Sequence, residues 1–153
     1  MLRLSREADY GLLAMVYIAT VPEGELACRG DIAAHYSIPR EFLGKVLQKL
    51  SRHGLIESFR GMQGGYRLAL GADEISLGDV IEAVDGPMAL VYCQRDPCDC
   101  PQETLCSMQE TLRGVQQEIG RVLGKVTIRQ LSRRSDCDPR RSPDLLTLDT
   151  NRP

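Results

Sequence analysis

Between Arg29 and Leu70 the hydrophobic period of the chain changes twice, and that narrows the fold more than anything else in its 153 residues. Residues 29–36 carry a short helical pattern with Ile32 and Ala33 facing inward, and Ser37-Ile38-Pro39 breaks it. Pro39 suits the first position of a new helix. That helix runs to about His53, with Phe42, Leu43, Val46, Leu47 and Leu50 as its apolar stripe and Gly54 as its C-terminal cap. The period then drops from 3.6 to 2. Leu55 to Arg60 alternates like a strand, GMQGG is a turn, and Tyr66 to Leu70 alternates again. Two short helices, a three-residue turn and a hairpin spell a helix-turn-helix followed by a wing. The expected fold class is mainly α with a small β-hairpin wing.

The charge of this unit points the same way. Net charge over the whole chain is −2, but residues 40–67 carry six basic side chains against Glu41 and Glu57. A basic recognition-type helix beside a wing is what neutralisation of DNA phosphates requires. Arg40, Glu41, Gly44 and Lys45 lie near the N-terminal, outward side of the helix, where helix-turn-helix readers reach base edges. Arg60 opens the wing beside glycines, a position from which a guanidinium reaches a minor groove. Lys49, Arg52 and Gln63 complete the expected surface for a double-stranded DNA operator.

Around this unit the chain divides into three parts: a winged helix-turn-helix over 1–71, a linker helix, cysteine loop and long dimerisation helix over 72–131, and a tail over 132–153. Ser5 caps a first helix with Glu7 and Asp9 in its first turn, and apolar residues nearly all round as far as Thr20 predict packing on more than one side. Ile75-Ser76-Leu77 reads as a short extended link, and Asp79 to Asp85 as two helical turns. After Cys106 a helix extends to about Gly124, with Leu112, Val115, Ile119, Val122 and Leu123 on one face. A helix of that kind projecting from a winged helix is commonly a dimer arm, so a homodimer is expected. Thr127 starts one more short helix. From Ser132 the composition turns to Arg, Asp, Ser and Pro, which predicts disorder. No run of residues is apolar enough to span a membrane and no signal-peptide core is present, so a cytoplasmic location is expected.

Four of the six cysteines fall in one polar stretch, CQRDPCDCPQETLC, from Cys93 to Cys106. Pro97 and Pro101 make it a loop rather than a helix. Clustered thiols in a reducing compartment suit a metal or redox site, and thiolates are soft ligands for zinc or iron–sulfur. The spacing C-x4-C-x-C-x5-C departs from the paired C-x2-C of common zinc sites. Cys28 and Cys137 lie outside the stretch and read as non-ligands. No nucleophile–base pair or phosphate loop stands out, and both histidines, His35 and His53, lie in the DNA-binding unit; no enzyme is expected.

Taken together, LRLSREADYGLLAM, the segment from Asp31 to Leu70 ending in RGMQGGYRLAL, and ISLGDVIEAVDG resemble the IscR/NsrR-type winged-helix regulators, bacterial iron–sulfur sensors of transcription. The resemblance covers residues 1 to about 131. It implies a homodimer, a near-palindromic operator and one iron–sulfur cluster (2Fe–2S or 4Fe–4S) per subunit, with Cys93, Cys98 and Cys106 as ligands. The family's fourth ligand varies. The cluster-assembly regulators use a His three residues after the last cysteine, where this chain has Gln109. The nitric-oxide sensors use an acidic residue near the N-terminus of the other subunit, and Asp9 falls there, with Glu7 as the weaker candidate. Cys100 is an extra thiol that could serve instead. The alternative reading of the same fold is a zinc or thiol/disulfide switch; an iron–sulfur electron carrier fits less well, since it has no use for a winged helix.

Overall fold

A computed structural model describes residues 4–91 and 106–133 of the protein. Among these residues six helices and one two-stranded hairpin follow in the order α1 (Arg6–Thr20), α2 (Arg29–His35), α3 (Arg40–Arg52), β1 (Ile56–Phe59), β2 (Gly65–Leu68), α4 (Leu77–Asp85), α5 (Gln109–Lys125) and α6 (Ile128–Ser132). The helix-turn-helix and wing are present as the sequence predicts, with each strand shorter than the alternation suggested.

Local chemistry sets the joints. Ser5 caps α1 by accepting from the Ala8 amide at 3.0 Å. Both helices of the helix-turn-helix end in the same two-bond motif. For α2, the amide of Ile38 donates to Ala33 O at 2.9 Å and that of Ser37 to Ala34 O at 3.4 Å. For α3, Leu55 donates to Leu50 O and Gly54 to Ser51 O, both at 3.1 Å. Each motif needs a left-handed residue after the C-cap. Gly54 (φ 71°) takes that conformation freely, whereas Ser37 (φ 54°) takes it against its Cβ. The motif at Gly54 delivers the chain straight from the recognition helix into β1.

The wing is held by more than its own ladder. β1 and β2 pair antiparallel with Ile56 opposite Leu68 and Phe59 opposite Gly65. Tyr66 also exchanges two backbone bonds with Ala27, of 2.9 and 3.0 Å, so the segment before α2 forms a third, short rung. A side chain at position 65 would place its Cβ 2.8 Å from Ala27 O, so the close approach requires glycine.

One core joins the helices and wing. Met15, Ile32, Leu43, Leu47, Leu50, Ile56, Ile75 and Ile128 are among its fully buried side chains. α1 runs through the middle, packed on α3, α4, α6 and β2, which accounts for its apolar residues on several sides. After α5 the chain returns to this core. Ser76 and Thr127 form an isolated antiparallel bridge, and each is the N-cap of a capping box, with Asp79 for α4 and Gln130 for α6. Ile128 N donates to Ile75 O and Arg129 N to Ala72 O, both at 2.9 Å, and Arg129 pairs with Asp73 at 2.5 Å. Ser76 is extended, as the sequence suggested, but α4 begins at Leu77, earlier than the predicted Asp79.

α5 differs from the other long helices. It buries no residue completely and packs on α4, with Gly78 lying against the backbone of Leu123 and Gly124. Met108, Val115 and Val122 remain exposed at 63%, 45% and 48%.

Candidate nucleic-acid interface

The outward side of α3 and the wing enclose an open groove of about 730 Å3. Glu41, Gly44, Lys45 and Arg52 line it from α3, together with Gln48 and Ser51; Ser58 and Tyr66 close it from the wing. The helical spacing explains this grouping, since 41, 45, 48 and 52 fall on one face opposite the buried Leu43, Val46, Leu47 and Leu50. Arg60 and Gln63 stand exposed in the five-residue wing turn. Among the described residues Lys45, Arg52 and Arg60 take part in no ion pair, so their charges are available to an external anion.

Other cations are already engaged. The ammonium of Lys49 is in an ion pair with Glu7 of α1 and donates to Val84 O of α4 at 2.9 Å. It thus ties α3 to α1 and α4, on a flank of the helix away from the groove, and the structure does not bring it together with Lys45 and Arg52. Arg67 pairs with Glu57 directly across the hairpin at 2.7 Å, and its guanidinium lies 4.8 Å from the Phe59 ring centre. Arg40 leans toward α2 at the edge of the groove: a methyl group on Gly30 would stand 3.5 Å from its Nη2.

One groove residue escaped the sequence reading. Arg29 begins α2, yet its side chain lines the groove on α3. Its signal is a relation between two helices, which single-helix periodicity does not carry. At the end of α2, Tyr17 of α1 packs edge to face with His35 and Tyr36, with centroids 4.5–6.3 Å apart within the trio. Burial, and then neighbouring Tyr17, raise the Tyr36 phenol above its ordinary 10.0, so it stays a neutral packing group.

Of the sequence-predicted metal ligands, Cys93, Cys98 and Cys100 lie outside the described residues, as does Cys137. Cys106 is a half-buried free thiol three residues before α5. Asp9 is exposed on α1, and among the described residues its carboxylate has no hydrogen-bond or ion-pair partner. Glu7 is occupied by Lys49. The Ser5 hydroxyl donates to Asp85 Oδ1 at 2.6 Å, which brings the start of α1 beside the end of α4, where the chain departs toward the cysteines. Cys28 stands apart, its thiol 3.5 Å from the Gly64 carbonyl in the wing. Among the described residues no group of three or more His, Cys, Asp or Glu could hold a metal ion.

Residues 4–134 match the Rrf2 family, described as iron-dependent transcriptional regulators. The chain belongs to this family. Solved structures with the same architecture include CymR, the global cysteine regulator of B. subtilis, at 27% identity and a TM-score of 0.71, covering 89% of this chain and 100% of that one. Staphylococcus aureus CymR is 28% identical, with a TM-score of 0.64 over 84% of this chain and 96% of the other. The IscR of T. potens shares the fold at 23% identity and a TM-score of 0.68, over 92% and 93% of the two chains. This Rrf2 protein is therefore a winged-helix, DNA-binding regulator of transcription, and members of its family are regulators rather than enzymes. Among the described residues no helix is long and apolar enough to cross a membrane.

Proposed function

We propose that this regulator is a homodimer whose affinity for a near-palindromic operator is set by an iron–sulfur cluster held in the segment Cys93–Cys106. The observation that carries this reading is how the described residues flank that segment: α4 ends beside the start of α1, eight residues before Cys93, and Cys106 lies three residues before α5 and its exposed apolar edge. Cys93, Cys98 and Cys106 supply thiolates, and either Asp9 or Cys100 supplies the fourth donor. The donor set suits such a cluster: thiolates are soft ligands for iron–sulfur, and among the described residues the Cys106 thiol is free and the Asp9 carboxylate has no ion-pair partner. A bound cluster would add a redox- and nitric-oxide-sensitive centre with one weakly held iron.

The protein's own residues do the rest. Lys45, Arg52 and Arg60 neutralise phosphates, Glu41 and Gly44 present the reading face, and Gln63 extends the wing. Arg40 serves at the edge of that surface. Lys49 holds the recognition helix against α1 and α4, so a displacement of α1 is transmitted directly to α3. In a dimer, a small change in the separation of two such helices is amplified by strict half-site spacing. Visible absorption and iron content of anaerobically purified protein, followed by mobility shifts of the loaded and stripped forms, test the proposal. Colourless, iron-free protein with unchanged DNA affinity would overturn it.

A thiol switch is the second reading, and Cys28 favours it. Its hydrogen bond to Gly64 joins the start of the helix-turn-helix to the wing, and S. aureus CymR has also been solved in an oxidized form. On this reading iron-free protein loses DNA on mild oxidation, and Cys28→Ser abolishes the loss. A zinc version of the switch would show as one tightly held zinc per chain by mass spectrometry.

A further inference from the structure

The two helices of the DNA-reading unit are interlocked by a reciprocal pair of notches. α2 carries Gly30 and α3 carries Gly44, and each is covered by an arginine from the other helix. A methyl group on Gly30 would stand 3.5 Å from Nη2 of Arg40, and one on Gly44 would stand 3.1 Å from Nη1 and 3.9 Å from Cδ of Arg29. The Arg29 arm therefore runs across the face of α3 at Gly44, with both its stem and its guanidinium against the helix. The side chain is exposed and, among the described residues, in no ion pair.

Gly44 lies between Glu41, Lys45 and Gln48 on the groove-lining surface of α3, in its second turn. In helix-turn-helix proteins the first turns of the second helix meet base edges, while the first helix crosses the phosphate backbone. At position 44 the recognition helix has no side chain of its own to offer. The geometry points to Arg29 as the residue that reads at this position: a guanidinium delivered from α2 through the Gly44 notch onto the major-groove edge of a guanine. Guanidinium is the natural partner of that edge, since its paired N–H groups match guanine O6 and N7. A phosphate contact would instead need Arg29 to point away from α3, along the side of the unit that crosses the backbone. This assignment rests on the DNA-binding reading of the groove and deepens it.

The test is selection of binding sites from a randomised duplex pool by the full-length protein, with wild type, Arg29→Ala, Arg29→Lys, Gly44→Ala and the double variant Arg29→Ala/Gly44→Ala. Wild type should select a two-half motif with a guanine in each half that Arg29→Ala no longer requires. On the wild-type site, Arg29→Ala should bind about ten- to a hundredfold more weakly, the range of one bidentate base contact. Arg29→Lys should recover little, because lysine lacks the planar fork. Gly44→Ala should lose the same guanine preference although alanine is the better helix former, so its melting temperature should not fall. The double variant should bind no worse than Arg29→Ala alone, since both changes remove one contact.

Equal weakening on selected and random duplexes would make Arg29 a phosphate contact and overturn the assignment, as would an unchanged motif in Gly44→Ala. If wild type selects no motif, the interface itself is misplaced and this assignment falls with it. If wild type and Arg29→Ala select the same motif, only the assignment fails.

Discussion

α3 and α5 look alike in the sequence and meet different fates in the fold. Both are amphipathic, 13 and 17 residues long, with an apolar stripe at helical spacing. α3 buries Leu43, Val46, Leu47 and Leu50 completely, and its cap hands the chain to the wing. α5 buries nothing completely and leaves the Met108, Val115 and Val122 edge of its stripe open. An apolar stripe therefore says that a helix has a partner, not that the partner lies in the same chain. For α3 the partner is the core; for the open edge of α5 it would be the other subunit of the homodimer proposed above.

Six substitutions break or sharpen that contrast. Leu47→Ala should destabilise the protein most, by about 2–5 kcal/mol, because a closed core cannot collapse around the void; Val115→Ala, read in the same urea titration, should cost well under half of that. Equal losses would mean α5 is covered as α3 is. Next, Ile119→Asp should halve the mass seen in sedimentation while leaving most helical circular dichroism intact, since a carboxylate without a partner in an interface costs about 3–5 kcal/mol. A wild-type monomer at micromolar concentration would remove the arm assignment. Gly65→Ala should cost about 1–3 kcal/mol, as forced overpacking does, because its Cβ meets the Ala27 carbonyl; the wing should loosen and operator affinity fall with it. Finally, Lys49→Met should lower stability by at most about 1 kcal/mol, as expected of a half-exposed ion pair. Its affinity for random DNA should hardly change, whereas Arg52→Ala should lower that affinity.

Legibility in the sequence followed the range of the interactions concerned. The Ser5 cap, the turn at Gly54 and the wing turn at Gly61 and Gly64 are decided within a few residues, and they can be read directly. The stop of α2 at Ser37-Ile38-Pro39 can be read too, from the proline, but the left-handed backbone at Ser37 cannot, because serine carries no such signal. α4 was read late because Ser76 is both extended and a cap, bonded on one side to Thr127, fifty-one positions away. Lys49 looked like its basic neighbours until Glu7 and Val84 claimed it from distant parts of the chain. Arg29 was passed over for the same reason in reverse: it belongs to α2 by sequence and to the face of α3 by contact.

The back-to-back capping boxes at Ser76 and Thr127 have a consequence for how the protein can diversify. They close residues 77–126 into a loop whose two ends are pinned to the core at one point. The entropy of closing a flexible loop grows only with the logarithm of its length, about 0.6 kcal/mol per doubling. Lengthening or shortening the stretch between α4 and α5 by several residues is therefore thermodynamically cheap, and the pinned base keeps any such change out of the reading head. Chains built on this plan can exchange one chemical trigger for another without redesigning the part that recognises DNA.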